Sequence, residues 1–394
     1  MHGLSLLQIA HRALGAAAAA GVLFAPVACH RATAPPVPSP QAKQAAPAPP
    51  GIDQDMASLY AASGAIGMVV AVVDGDSITT RGFGRMGLKD KRVPDGRTLV
   101  RLQSISKLFS SDLLATLVAQ GKVTLRDPLQ SHAPPGGVVP APRRGGPITL
   151  LNLATHTSGL PREAGIDPPP PNMAIAARWN WLGRERGRPA PGVQALYSNI
   201  GFELLGDALS NATRESYNDA LDAAVTGPLG MVDTTARPTP EECSRLMSPD
   251  PRRGLYPCID QTPEAASGGL YSTADDMALW MKAQLAAGPT GLTRNVSQAV
   301  YVRRTALARA VGIDYAGQAS GIGLAWLEVQ PDGTHPRILE KDGGGDGFLT
   351  YIVIDPIHRI GVFVAFNNES GHRLPTVARD ADVLVGRLAA QQGA

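Results

Sequence analysis

Three short groups of residues in this 394-residue chain could do nucleophilic chemistry, and none of them is persuasive by itself. Ser104 and Lys107 lie three apart in the run Ser104-Ile105-Ser106-Lys107. Residues three apart on a helix share a face, so the hydroxyl and the ammonium can meet. A serine is a poor nucleophile at neutral pH and needs a base beside it. Lysine serves as that base only if burial or neighbouring positive charge lowers its pKa. A helix N-terminus would add backbone N–H groups near a developing oxyanion. A capping serine followed by a solvated lysine would explain the same residues.

The second group is Tyr197-Ser198-Asn199, which follows Pro191-Gly192. A tyrosine flanked by cations can share the proton of Ser104, and the Asn199 amide can hold an acyl carbonyl or orient the lysine. A capping residue before a helix near Gly201, with Tyr197 as packing, is the plainer account. The third group is Lys341-Asp342-Gly343, continued by Gly344-Gly345-Asp346-Gly347 and then a strand. Lys341 at a strand edge can lower the pKa of Tyr197 or Lys107 and attract an anion. Gly343 and Gly344 let a ligand approach the backbone and free an N–H for an oxyanion hole. A glycine-rich turn with an exposed lysine fits too. The three groups together, in this order, are much harder to obtain by chance.

The elements that must position them can be read from periodicity. Leu102 to Lys122 is the clearest helix, with Leu108, Phe109, Leu113, Leu114, Leu117 and Val118 on its apolar side and Gly121 at its end. Met56 to Ser63 suggests a short helix. Ile66 to Val73 is a Val-rich apolar run closed by Asp74-Gly75, a strand and turn with Ser77 to Gly84 as hairpin partner. From about 124 to 264, helical patches (Ile148 to Ala154, Gly201 to Ala212, Tyr217 to Val225) alternate with Pro-rich loops such as Pro168 to Pro171. Strand signal returns at Gly321 to Val329, Gly347 to Ile354 and Ile360 to Asn367, before an amphipathic helix from Thr376 to Ala390. Strands at both ends with helices between them predict an α+β body: an antiparallel sheet flanked by helices, with a mainly helical insertion. The two ends of the folded part would then meet on one sheet.

Composition narrows the function classes. Lys+Arg at 36 against Asp+Glu at 34 leaves a formal charge of +2 with no long run of one sign, so nucleic acid is not an expected partner. No His, Asp or Glu cluster has metal-ligand spacing, and no metal or other cofactor is expected. Arg12 precedes an apolar stretch, Ala13 to Ala28, that is short for a membrane span and interrupted by Pro26; it reads as a secretory signal. A Pro/Ala-rich spacer follows, up to Pro50. Cys29 stands where a lipid-modified cysteine would, so membrane anchoring there and simple cleavage both remain open. In an oxidising compartment Cys243 and Cys258 read as one disulfide. The expected layout is a signal peptide over 1–28, a linker over 29–50 and a catalytic domain over 51–394. The sequence leaves the oligomeric state open.

Taken together, the three groups resemble those of the serine β-lactamase and penicillin-binding protein superfamily in its class C form. The likeness runs from about Gly51 to the end. It includes SDLLATLVAQGKVTLRDPL ending at Leu129, ITLLNLATHTSGL over Ile148 to Leu160, GPLGMVDTT over Gly227 to Thr235, and SGGLYSTADDM over Ser267 to Met277. LATHTSGLPRE and the cysteine loop are similar to those of the periplasmic D-alanyl-D-alanine carboxypeptidase/endopeptidase group. The resemblance implies peptidoglycan peptides or β-lactams as substrates, with Ser104 acylated and Lys107 as its proton partner. It implies Tyr197 as general base and acid, Asn199 on the substrate amide, and Lys341 as a source of positive field. The N–H groups of Ser104 and Gly344 would form the oxyanion hole. His156 would be a buried, hydrogen-bonded residue of the T-H-T-S-G loop. A class C-like β-lactamase and a carboxylesterase on the same scaffold are the alternatives. One position departs from the pattern: the family usually has Thr or Ser where this chain has Asp342. An anionic side chain there should repel a substrate carboxylate unless it points away or pairs with a lysine.

Overall fold

Two apolar runs from opposite ends of the chain form the middle of one antiparallel sheet. The computed structural model describes residues 48–142, 144–165, 175–248, 257–286, 291–314, 319–367 and 373–393. Its main sheet contains Gly67–Asp74 (β1), Ser77–Gly84 (β2), Val302–Arg303 (β3), Gly321–Ile322 (β4), Leu327–Val329 (β5), Ile338–Gly345 (β6), Phe348–Asp355 (β7) and Ile360–Asn367 (β8). The strand order is β2-β1-β8-β7-β6-β5-β4-β3, so β1 lies beside β8, in register from Met68↔Phe366 to Asp74↔Ile360.

The helices that frame the site are Ile52–Ser63 (α1), Ser106–Ala119 (α2), Leu150–Ala154 (α3), Ile175–Arg184 (α4), Asn199–Thr213 (α5), Ala274–Leu285 (α6) and Leu374–Gln392 (α7). One sheet face packs Met68, Val70, Val362 and Val364 against residues of α1 and α7 such as Met56 and Val377. The other packs Val69, Ala71, Phe363 and Ala365 into a core shared with α2, α5 and α6. Burial on both faces is why these strands read as unbroken apolar runs rather than alternating ones. The architecture is the α+β sheet with flanking helices that the sequence predicts, and the chain between β2 and β3 is mainly helical.

Helix α2 is buried through most of its length, including the polar Lys107 and Asp112. Asp112 accepts hydrogen bonds from Trp280 Nε1 (2.9 Å) and Gln284 on α6 and from Ser297 Oγ (2.5 Å). Burial pushes its carboxyl up to about 6, against the lowering effect of those three donors. The carboxylate thus pins the helix carrying Lys107 to its neighbours.

Three local readings change. The strong helix begins at Ser106 rather than Leu102, because Gln103 takes a left-handed φ of 52° and the chain makes a 3₁₀ turn over Gln103–Ile105. Gly321 to Val329 is two short strands, β4 and β5, joined by a turn in which Ala325 has φ 59°. The segment carrying Lys341 is itself a strand, β6, rather than a turn leading into one. Beyond Glu340, β6 no longer pairs with β5, and its Gly343 packs beside the turn that carries Ser104.

Cys243 and Cys258 are joined in a disulfide across a sequence separation of 15. Pro257, beside it, accepts a hydrogen bond from Arg101 Nη2 (2.7 Å), which links this loop to the site described below. Closing a loop of that length stabilises a fold by about 3 kcal/mol. Replacing both cysteines with Ser should therefore lower the melting temperature by several degrees, as calorimetry would register; an unchanged transition would mean that the bridge constrains nothing. Among the described residues no helix is long and apolar enough to cross a membrane. The expected signal segment, Cys29, all but the last residues of the expected spacer, and Pro168 to Pro171 lie outside the described residues.

Candidate active site

Ser104 sits in the 3₁₀ turn just ahead of α2, and three tethers hold that turn. Leu102 N–H donates to Leu270 O (2.9 Å), Leu270 N–H donates to Ser106 Oγ (3.1 Å), and Gln103 Nε2 donates to Gly345 O (3.0 Å). The left-handed conformation of Gln103 is costly for a residue with a side chain, by about 1 kcal/mol or more, and such strain is held only where the surroundings fix it.

Lys107, three residues on, is fully buried. Its Nζ donates to Ser104 Oγ (3.2 Å), to Asn199 Oδ1 (2.8 Å) and to the backbone oxygen of Ser267. It also lies 4.9 Å from the centroid of the Tyr197 ring. Burial lowers its proton affinity below that of an ordinary lysine, the nearby Lys341 lowers it further, and Tyr197 and Glu203 pull it back up without cancelling the drop.

Tyr197 approaches from the other side and donates its hydroxyl to Ser104 Oγ. Burial alone would raise the phenol, yet the fields of Lys107 and Lys341 outweigh it and leave Tyr197 below the ordinary tyrosine value. Its ring stacks on His156 at 4.5 Å between centroids. His156 is buried with φ 57°, and its Nδ1 accepts the Ser198 N–H (3.1 Å). Burial, reinforced by three nearby cations, keeps this imidazole neutral. The histidine touches Tyr197 through its ring face and reaches Ser104 only through it.

Lys341 on β6 lies 5.6 Å from the Tyr197 ring centroid and is buried. Burial works against its charge, but Asp342 and Tyr197 more than offset that, so it holds its proton more tightly than a free lysine. Asp342 answers the question its position raises: its Oδ1 lies 3.5 Å from Lys341 Nζ, which also donates to the Asp342 backbone oxygen. Gly343 packs directly on the nucleophile turn, and Gly344 lines the cleft beside Ser104. Asn199, the first residue of α5, gives its Oδ1 to Lys107 and its Nδ2 to Glu163 Oε1 (2.6 Å), with Ser198 capping the helix.

These groups open onto a cavity of about 570 Å³ lined by residues that include Ser104, Asn199, Glu203, Glu264, Ser267 and Gly344. Lys107 and Lys341 lie buried behind that surface. Among the described residues, no group of three or more His, Cys, Asp or Glu side chains is arranged to hold a metal ion. The structure adds participants that motif reading missed. Ser267 offers its carbonyl to Lys107, Glu163 holds the Asn199 amide, and Glu203 lies against Ser267. Glu203 follows Asn199 by four residues on α5, a helical spacing that places the two on one face and could have flagged it.

A family model described as Beta-lactamase matches residues 52–387. The D-alanyl-D-alanine-carboxypeptidase/endopeptidase AmpH of Escherichia coli K12 is 38% identical over 343 residues, which is 86% of this chain and 88% of that protein. A solved Yersinia pestis structure, described as a beta-lactamase/D-alanine carboxypeptidase, is 38% identical with a TM-score of 0.81, covering 86% of this chain and 97% of that one. A class C beta-lactamase from Rhodobacter sphaeroides, 23% identical with a TM-score of 0.68 over 85% of this chain and 99% of its own, shares the fold. A match that spans almost every described residue, together with this fold, makes the chain a member of the beta-lactamase family.

Proposed function

We propose that the chain is an exported serine hydrolase that cleaves D-alanyl peptides of peptidoglycan, as carboxypeptidase or endopeptidase, through an acyl-enzyme on Ser104. The observation that carries the reading is Ser104 Oγ held between Tyr197 Oη and Lys107 Nζ at a cavity that the Gly344 backbone also lines. The similarity to AmpH and to the Yersinia enzyme supports the substrate class. In this reading Tyr197, poised by two lysines, takes the Ser104 proton as Oγ bonds to the substrate carbonyl carbon. The carbonyl electron pair moves to oxygen, where the N–H groups of Ser104 and Gly344 receive it. The C–N bond then breaks, and Tyr197 returns the proton to the leaving amine. Water reverses the sequence and frees the serine. Asn199 orients the substrate amide, and Lys341 supplies positive field. Residues 1–28 act as the export signal, 29–50 as a spacer, and 51–394 as the catalytic domain.

The test is incubation of the purified protein with labelled penicillin, D-alanyl-D-alanine peptides and a chromogenic cephalosporin. The expected result is a long-lived adduct on Ser104 with peptide hydrolysis. Rapid cephalosporin turnover would replace this reading with a β-lactamase. Adduct formation in Ser104→Ala equal to that of the unaltered chain would remove Ser104 as nucleophile.

The Lys341–Asp342 pair favours substrates without a free carboxylate at that end, since part of the lysine's charge is already answered. Endopeptidase or ester substrates therefore fit better than carboxypeptidase ones. Asp342→Thr should lower KM for carboxylate-bearing peptides about threefold to tenfold, consistent with a weakly shielded charge interaction. Equal KM values in both proteins would show that the aspartate does not face the substrate carboxylate.

A further inference from the structure

A largely buried ionic cluster reaches the cavity wall at Glu203, and the proton-transfer chemistry above does not use it. Arg178 on α4 is 4% exposed and grips Asp207 through two bonds, Nε to Oδ2 at 2.7 Å and Nη2 to Oδ1 at 2.9 Å. Its remaining Nη1 reaches Glu203 Oε2 (3.2 Å) and the Pro263 backbone oxygen (2.8 Å). Asp207 also accepts from Trp179 Nε1 (2.9 Å). One guanidinium thus faces two carboxylates, and with both ionised the cluster carries an excess negative charge in a water-poor interior.

Lys107 feels that charge, since Glu203 raises its proton affinity. The other oxygen of Glu203, Oε1, accepts from Ser267 Oγ (3.2 Å), and the carbonyl of the same Ser267 accepts from Lys107 Nζ. We infer that Glu203, gripped by Arg178 and tied through Ser267 to Lys107, is a positioning residue that fixes the lysine and tunes the Lys107–Tyr197 pair. This inference rests on the acyl-enzyme reading above.

The charges facing Lys107 come from several elements. Glu203 approaches from α5, Tyr197 from the residues ahead of α5, and Lys341 from β6. Beyond them, Arg162 lies over the Tyr197 ring, Glu163 holds Asn199, neutral His156 stacks on Tyr197, and Glu264 raises the proton affinity of Glu203. Desolvation and Lys341 push Lys107 to lose its proton, and Glu203 opposes them. In the acyl-enzyme reading Lys107 and Tyr197 titrate as one unit, and the reactive form holds one proton between them. Both limbs of a pH–rate bell then report that pair. Removing a neighbouring negative charge lowers proton affinity for either member, so both limbs must move toward acid.

The experiment measures acylation of the full-length chain by a fluorescent penicillin across pH, together with melting temperature. Glu203→Gln keeps the acceptor for Ser267 and removes the charge. Its bell should move acidward by about half a pH unit or more, with melting little changed, and Glu203→Asp should restore part of the original position. Asp207→Asn, which leaves Arg178 free to neutralise Glu203, should move the bell the same way by less, and it decides the matter if Glu203→Gln does not fold. A uniform drop in rate with both limbs in place would reduce Glu203 to packing and overturn the inference. Failure of the unaltered chain to be acylated, or adduct on a residue other than Ser104, would instead strike the acyl-enzyme reading.

Discussion

Replacing Lys107 with Met should slow acylation of Ser104 about a thousandfold, within the range that a positioned proton-transfer group contributes, while the protein melts at the same temperature or higher. The two halves of that expectation share one cause. Lys107 is fully buried and close to a second buried lysine, so its charge is costly to hold there. Methionine has a similar length and no charge to desolvate, and it adapts to irregular space. What it removes are the hydrogen bonds to Ser104, Asn199 and the Ser267 carbonyl and one of the two fields that lower the Tyr197 phenol. Site groups that destabilise their own protein mark function rather than architecture. Labelled-penicillin kinetics with a parallel thermal melt checks both halves. A large loss of stability with proportionate activity would show that the lysine is structural.

Gly343→Ala should cost about a hundredfold in acylation, although the change adds a single methyl group. A Cβ at Gly343 would meet Thr350 Oγ1 at 2.3 Å, Leu102 O at 2.8 Å and Ser104 N at 3.0 Å. Two of those three atoms are backbone of the nucleophile turn. The third is a buried hydroxyl already donating to Leu102 O (2.9 Å). Relief requires β6 and the serine turn to separate, and the gap between Ser104 N and Gly344 N is where the oxyanion is proposed to sit. Displacements of about an ångström at such a site have effects of this size. The loss should fall on the acylation rate more than on KM. Full activity in Gly343→Ala would mean that the strand can shift without disturbing the chemistry.

The sequence already outlined much of the sheet, at the fully buried strands and at the edge strand β2 alike. Ser77–Gly84 and Ile360–Asn367 have the ends that their apolar and turn residues suggest. It failed where tertiary context overrides local preference. β6 has the sequence ILEKDGGG, whose glycines disfavour a strand and read as a turn; pairing with β7 and packing on the Ser104 turn hold it extended. Helix α6 passed unnoticed although Thr273 accepts from the Asp276 N–H, a capping signal visible as Thr-x-x-Asp. The left-handed Gln103 could not be foreseen, because nothing in its side chain asks for that conformation; three tethers from distant segments impose it. The residues expected to do the chemistry were legible as a set, and the structure gathers Ser104, Lys107, Tyr197, Asn199, Lys341, Gly343 and Gly344 around one cleft, which Ser104, Asn199 and Gly344 line. The ionic cluster behind them was not legible. Arg178, Glu203 and Asp207 lie on two helices, and no spacing rule links a charge on one helix to a charge on another.

The marriage of β1 to β8 also governs when this chain can fold. Gly67 N–H donates to Asn367 Oδ1 at 2.7 Å across 300 residues of sequence. A growing polypeptide therefore holds its first hairpin with no third strand until the last tenth of the chain has been made. Such long-range pairing is intrinsically slow, because the loop entropy must be overcome before the contact forms. For a chain proposed to leave the cytoplasm, that delay favours crossing a membrane unfolded. A polypeptide that cannot close its central sheet has no stable fold until its C-terminal strands are available.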